Sequence, residues 1–152
     1  MNIASILCPV DFSSCSEAAA RLAASLARDV GADVHLLHVL PLPLAPMPVA
    51  ELGLAPQEVV VPSYATDLDR DARSALRRLA TDLCLEPHVH VTVGSAAREI
   101  VRIAGAMSAG MIVLGTHGRT GLAHWLLGSV AERVVRTAHV PVLVVPEKRP
   151  PS

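Results

Sequence analysis

Aromatic rings are scarce in this chain: it has one Phe, one Tyr and one Trp in 152 residues, although 51% of the residues are hydrophobic. A core with so few rings must be built from Ala, Val, Leu and Ile, a composition that suits buried strands alternating with helices. The scarcity also removes the stacking platforms on which single-stranded nucleic acid is held. A formal net charge of -1 and a pI near 6.6 leave no basic surplus to neutralise a phosphate backbone, so nucleic acid is not an expected partner. Lysine is scarcer still. Lys148 is the only one, and no G-x-x-x-x-G-K-[S/T] loop is present, so the usual phosphate-clamping lysine of an efficient NTPase is missing.

Long hydrophobic runs are lacking too. Arg102 or repeated prolines interrupt the apolar stretches before they reach the length of a bilayer span, and the N-terminal "MNIASILCPVDF" has no basic leader segment. Neither membrane insertion nor secretion is expected. Cys8, Cys15 and Cys84 are odd in number and far apart, which fits a reducing compartment better than a disulfide framework, so a cytoplasmic location is inferred. The length suits a single domain.

What the sequence does contain is a repeated alternation. "IASILCPV" (3–10) reads as a strand, and "EAAARLAASLARDVG" reads as a helix with apolar positions at Leu22, Leu26 and Val30. Ser14 and Glu17 stand in capping-box spacing at that helix's start, and Gly31 sits where a C-terminal cap would end it. "DVHLLHVL" is a second strand. A proline-rich stretch follows, too irregular for a core element. From Asp67, Leu68, Ala72, Leu76, Leu79 and Leu83 recur at helical spacing. "PHVHVTVG", "MIVLG" and "PVLVVP" read as further strands, with helices at "AAREIVRIAGAMSAG" and "SVAERVVRTA" between them. Such alternation predicts an α/β fold, a parallel sheet with helices on both faces. Ligands of such sheets sit beyond the carboxyl ends of the strands.

Between "MIVLG" and the last helix lies "GTHGRTGLAHWLLGSV", which holds Gly115, Gly118, Gly121 and Gly128, four of the nine glycines. A strand ending at Gly115 and a helix opening at Gly128-Ser129 bring free main-chain N–H groups and the positive end of a helix dipole to one place, an anion site in outline. Glycine lets a backbone approach a phosphate closely. Ser129 and Glu132 also have capping-box spacing, and glycines cluster in plain turns, so a purely architectural loop is the competing reading.

The spacing of Gly115, Gly118 and Gly128-Ser129 fits G-2x-G-9x-G-[S/T], the nucleotide-binding signature of the universal stress protein family, which the chain resembles along nearly its whole length. "ILCPVDFS", "LLHV", "MIVLGTHGRTGLAHWLLGSVAERVV" and "PVLVVP" carry the resemblance. It implies one domain over residues 1–147 with a tail at 148–152, a proline-rich connection at 40–64, and a five-stranded sheet in the order 3-2-1-4-5. ATP, or AMP or ADP, would lie at the switch between strands 1 and 4, with Mg²⁺ held through the nucleotide phosphates. By the same resemblance Pro9 shapes the first turn, Asp11 meets the ribose and the Val39 backbone meets the adenine edge. Leu114 and Gly115 would line the base and ribose region, and Gly118, Gly128, Ser129 and Val130 would hold phosphates. Ala96 departs from the Gly-x-Pro turn that many members carry after strand three, which raises a different entry into the third helix.

Several residues admit two readings. Asp11 could equally cap the turn before the first helix. Arg119, the only cation in the loop, could reach phosphate or stay solvated. His117 reads as a turn residue, and Trp125 as an apolar anchor or subunit contact. His35 and His38, three apart on a strand, face opposite sides, and His88 and His90 share a face without an acid or thiol at ligand spacing, so no metal site is expected. Cys15 falls in a helix first turn, while Cys8 and Cys84 read as core fillers.

No nucleophile is paired with a base by spacing, and phosphoryl transfer needs positioned charge and metal. The chain therefore reads as a binder, with at most slow ATP hydrolysis. "VPVLVV" is apolar on both faces and reads as an edge strand in need of cover. The family commonly dimerises there, which implies a homodimer through Val140–Val145. The leading expectation is an ATP-binding dimeric regulator of the stress response that acts on client proteins. A structural adaptor dimer and a slow ATPase are the alternatives.

Overall fold

The computed structural model describes residues 3–42, 63–116 and 127–146. Nine elements alternate in chain order: β1 (Ser5–Pro9), α1 (Ser14–Val30), β2 (Asp33–Leu40), α2 (Ser63–Asp82), β3 (His88–Val93), α3 (Ala96–Ala106), β4 (Met111–Gly115), α4 (Ser129–Thr137) and β5 (Val142–Val145). All four strand pairings are parallel, and the sheet runs β3-β2-β1-β4-β5, the order implied by the family resemblance. Most of residues 40–64 lie outside the described residues; α2 begins at Ser63, just inside that range.

Strands covered on both faces must be apolar on both, and Ile6, Leu7 and Cys8 of β1 are all essentially inaccessible. Alternation sends Ile6, Cys8, Val34, Leu36 and Val113 into one core with α1 and α2. Leu7, Leu37, Ile112 and Leu114 point into the other, with α3 and α4. Burial pushes the Cys8 thiol up to about 12.

The helices bury part of the apolar pattern, with Ala72 and Leu76 buried and Leu26, Leu79 and Leu83 packed against the core, but not all of it. On α1 the buried stripe is Ala19, Ala20, Ala23, Ala24 and Ala27, while Leu22 and Val30 are exposed. Small side chains let the helix axis lie close to the central strands, and the bulkier residues fall to the margins. On α2 the core positions are Ala72, Leu76 and Ala80, and Leu68 is exposed. Cys84 is not core filling either: it is exposed, just beyond α2, in a left-handed conformation with φ 54°. The cap of α1 also moves by one residue. Ser13 is the N-cap and accepts from the Ser16 N–H at 3.2 Å, and Gly31 ends the helix at φ 71°.

Ala96 is the first residue of α3, a position that Pro favours for its preset φ but does not require. The helix therefore starts there without a Pro.

Candidate functional site

From β1 the chain moves to β2 on one side, and from β4 to β5 on the other, so a crevice opens above the carboxyl ends of β1 and β4. Pro9 closes β1 opposite Leu37, and one further ladder bond follows, from the Val10 N–H to the Leu37 carbonyl at 2.8 Å. Along β2 the Leu37 carbonyl faces β1, whereas the Leu40 carbonyl accepts from Gly94 on the β3 side. That alternation turns the main chain of Val39 toward β1, past the last ladder bond.

Asp11 begins the turn into α1. Its Oδ1 accepts from both the N–H (3.0 Å) and the hydroxyl of Ser13, and its own N–H donates to Ser16 Oγ at 3.3 Å. The turn-capping reading of Asp11 is thus realised. Ser13 and Ser16, which hold Asp11 in place, were not singled out from the sequence; their S-x-x-S spacing after an Asp was the available signal. The turn bends through Phe12, which adopts φ 63°.

On the other side of the crevice, Gly115 ends β4 opposite Val145. A Cβ there would lie 2.8 Å from Cys15 Sγ and 3.0 Å from the Cys15 carbonyl carbon and oxygen, so the strand end rests directly on the first turn of α1. Cys15 Sγ also donates to the Val145 carbonyl at 3.5 Å and lies 3.6 Å from Thr116 Oγ1. The Thr116 N–H donates to Val145 O at 3.0 Å, and the Gly128 N–H donates to Thr116 O at 2.7 Å. These bonds pin the two ends of the glycine loop together beside β5.

Helix α4 follows at once. Its N-cap is Gly128, which has no side chain to offer, so Ser129 stands one residue inside the helix and the capping box that its spacing to Glu132 allowed is not formed. Ser129 is the exposed first helical residue, and Glu132 pairs with Arg136 at 3.2 Å. The first bond within α4 runs from the Glu132 N–H to Gly128 O, which leaves the Ser129, Val130 and Ala131 amides without an intrahelical partner. By contrast, the N-terminus of α1 is closed by its own serine.

The fold thus brings Pro9, Asp11, Val39, Leu114, Gly115, Gly128, Ser129 and Val130 to one end of the sheet. Leu114 is buried and Val130 exposed. Gly118 and Arg119 lie outside the described residues, as do His117, Trp125 and Lys148. The histidines separate as expected from their strand positions, with one addition. His38 binds the Val10 carbonyl, whereas His35 joins the other face, where its Nδ1 lies 3.0 Å from His90 Nε2 and its ring stacks on His88. Burial first, then the neighbouring imidazoles, hold His35 below the usual histidine range; the same causes and Arg73 lower His90. Among the described residues no group of three His, Cys, Asp or Glu side chains could hold a metal ion, and no helix is long and apolar enough to cross a membrane.

Residues 2–146 match the universal stress protein family. Universal stress protein MJ0531 of Methanocaldococcus jannaschii is 34% identical over 140 residues, covering 92% of this chain and 80% of the relative. Universal stress protein G of Escherichia coli O157:H7 is 34% identical over 145 residues, covering 92% and 96%. Among solved structures, protein MJ0577 of Methanocaldococcus jannaschii superposes with a TM-score of 0.77 at 29% identity, covering 99% of this chain and all of that one. A universal stress protein solved in complex with cAMP shares the fold at a TM-score of 0.67 and 20% identity, covering 97% of this chain and 100% of its own.

Proposed function

The chain belongs to the universal stress protein family, and on that premise we propose that it binds ATP at the crevice above β1 and β4 and acts as a homodimeric regulator of the stress response through nucleotide-dependent contacts with client proteins. One observation carries the nucleotide reading. Helix α4 opens on Gly128, which brings no capping side chain, at the carboxyl end of the sheet, the end at which β1 leads into Asp11 and β2 runs through Val39. Free amides at a helix start favour an anionic group, and the dipole adds to them. The Gly128 N–H is engaged by Thr116, so the phosphate donors are the amides of Ser129 and Val130 and the Ser129 hydroxyl, with Gly128 supplying room. Gly118 and Arg119 complete the phosphate side. Asp11 takes the ribose, the Val39 main chain takes the adenine edge, and Pro9, Leu114 and Gly115 shape the floor. Mg²⁺ arrives with the nucleotide.

Homodimerisation fits the position of β5 at a sheet edge, where a second copy would cover Val140–Val145, that is β5 and the two residues leading into it. A cytoplasmic location is part of the same proposal, on the odd number and wide spacing of Cys8, Cys15 and Cys84 in the sequence.

Mg-ATP titration followed by Trp125 fluorescence and by melting tests the reading. At about 100 times the dissociation constant the ligand stabilises the protein by about 2.7 kcal/mol. Gly118→Val and Gly128→Val are expected to remove that shift. Variants that respond as the parent does would show that the glycine loop is not the site.

A further inference from the structure

His38 lies in β2 immediately before Val39, and its side chain crosses to the β1 turn. Its Nδ1 is 2.7 Å from the carbonyl oxygen of Val10, and because a carbonyl only accepts, the ring nitrogen is the donor. That carbonyl belongs to the peptide unit whose N–H is Asp11's own, and the Asp11 N–H donates to Ser16 Oγ at 3.3 Å. The peptide plane entering Asp11 is therefore held at both ends, by β2 through His38 and by α1 through Ser16. The His38 ring also packs on Phe12, with ring centroids 4.9 Å apart, on the residue whose left-handed φ of 63° makes the turn. β1 itself ends at Pro9, opposite Leu37, and past the Val10 to Leu37 bond the ladder between the two strands stops. Beyond that point the His38 hydrogen bond ties the Asp11 turn to β2.

We infer that His38 is a positioning residue that sets the distance between Asp11 and the Val39 main chain, and so the fit of the adenosine half of the nucleotide. This inference rests on the nucleotide reading above. His38 acts through the peptide before Asp11, and by its place in the sequence it moves with Val39. The phosphate end, built on α4, is independent of it.

The test uses the full chain, two variants and three probes. His38→Leu removes the donor, while in His38→Asn the side-chain amide nitrogen takes the place of Nδ1. Calorimetric titration with Mg-ATP is expected to weaken about tenfold in His38→Leu, because binding must then order the Asp11 turn that the hydrogen bond holds ready in the parent, and to stay within about threefold of the parent in His38→Asn. Adenosine follows the same pattern, whereas inorganic tripolyphosphate binds all three proteins alike. In the ligand-free proteins, hydrogen-exchange protection of the Asp11 and Ser13 amides falls in His38→Leu and is kept in His38→Asn. Equal Mg-ATP affinity in the parent and His38→Leu overturns the inference. So does a His38→Asn protein as weak as His38→Leu, which would assign the effect to ring packing on Phe12. If the parent itself fails to bind Mg-ATP, the nucleotide reading falls. The exchange data then still decide whether His38 holds the Asp11 turn, and unchanged protection in His38→Leu overturns that as well.

Discussion

Gly115→Ala adds one methyl group where β4 meets α1. The new carbon would stand 2.8 Å from Cys15 Sγ and 3.0 Å from the Cys15 carbonyl carbon and oxygen, distances at which something must shift. The thiol is a side-chain tip, yet it too is confined, because Cys15 is buried and its Sγ bonds to the Val145 carbonyl. The carbonyl is helix backbone and can yield only if the first turn of α1 moves away from the sheet. Overpacking of this kind costs about 1–3 kcal/mol. In a protein of this size each kcal/mol lowers the melting temperature by about 2–4 °C. Urea unfolding and calorimetric melting of the ligand-free protein measure the loss directly. Pairing the change with Cys15→Ala relieves only the sulfur contact, so the double variant is expected to recover part of the stability and not all of it. A Gly115→Ala protein that melts with the parent would refute the argument that close approach of α1 is why glycine ends this strand. Full recovery in the double variant would refute the part assigned to the backbone.

Leu76→Ala, at a fully buried position of α2, is expected to cost about 2–5 kcal/mol in urea unfolding, whereas Leu68→Ala on the same helix, at an exposed position, should stay within about 0.5 kcal/mol of the parent. Because His35 and His90 are held below the ordinary histidine value in the fold, the unfolded chain takes up protons first on acidification. Stability is therefore full above about pH 6.5, the ordinary histidine value, and declines as pH falls through it. Unfolding at pH 7.5 and 5.5 should reveal that slope, and a His35→Gln/His90→Gln protein that keeps it would show that other groups carry it. With an alkylating reagent under native conditions, Cys84 should be modified readily and Cys8 only at the rate of global unfolding, as peptide mapping would reveal.

Much of the fold is legible from pattern. Short aliphatic runs such as "SILCP" and "MIVLG" can be stable only when both faces are covered, and with helical stretches between them the parallel sheet follows. The sheet order and the identity of the glycine loop came from the spacing of Gly115, Gly118 and Gly128 and from the resemblance it carried. The resemblance, not the spacing, implied that Pro9, Asp11, Val39 and the start of α4 belong to one set. What pattern missed is where distance across the fold decides. Periodicity weights large residues, so it marked Leu22, Leu26 and Val30 on α1, of which only Leu26 packs against the core; the close seat of the helix on the sheet selects an alanine stripe instead. Ser13 rather than Ser14 caps that helix because Asp11 Oδ1 folds the turn one residue earlier.

The amino-acid sequence by itself determined the alternating elements and the family, because both rest on local period and on residue spacing along the chain. Tertiary structure alone decided which groups meet. The engagement of the Gly128 amide by Thr116, the contact between Gly115 and Cys15, and the reach of His38 to Val10 each join residues from different elements. Such pairings depend on how helices and strands pack side by side, and linear spacing carries no record of that distance.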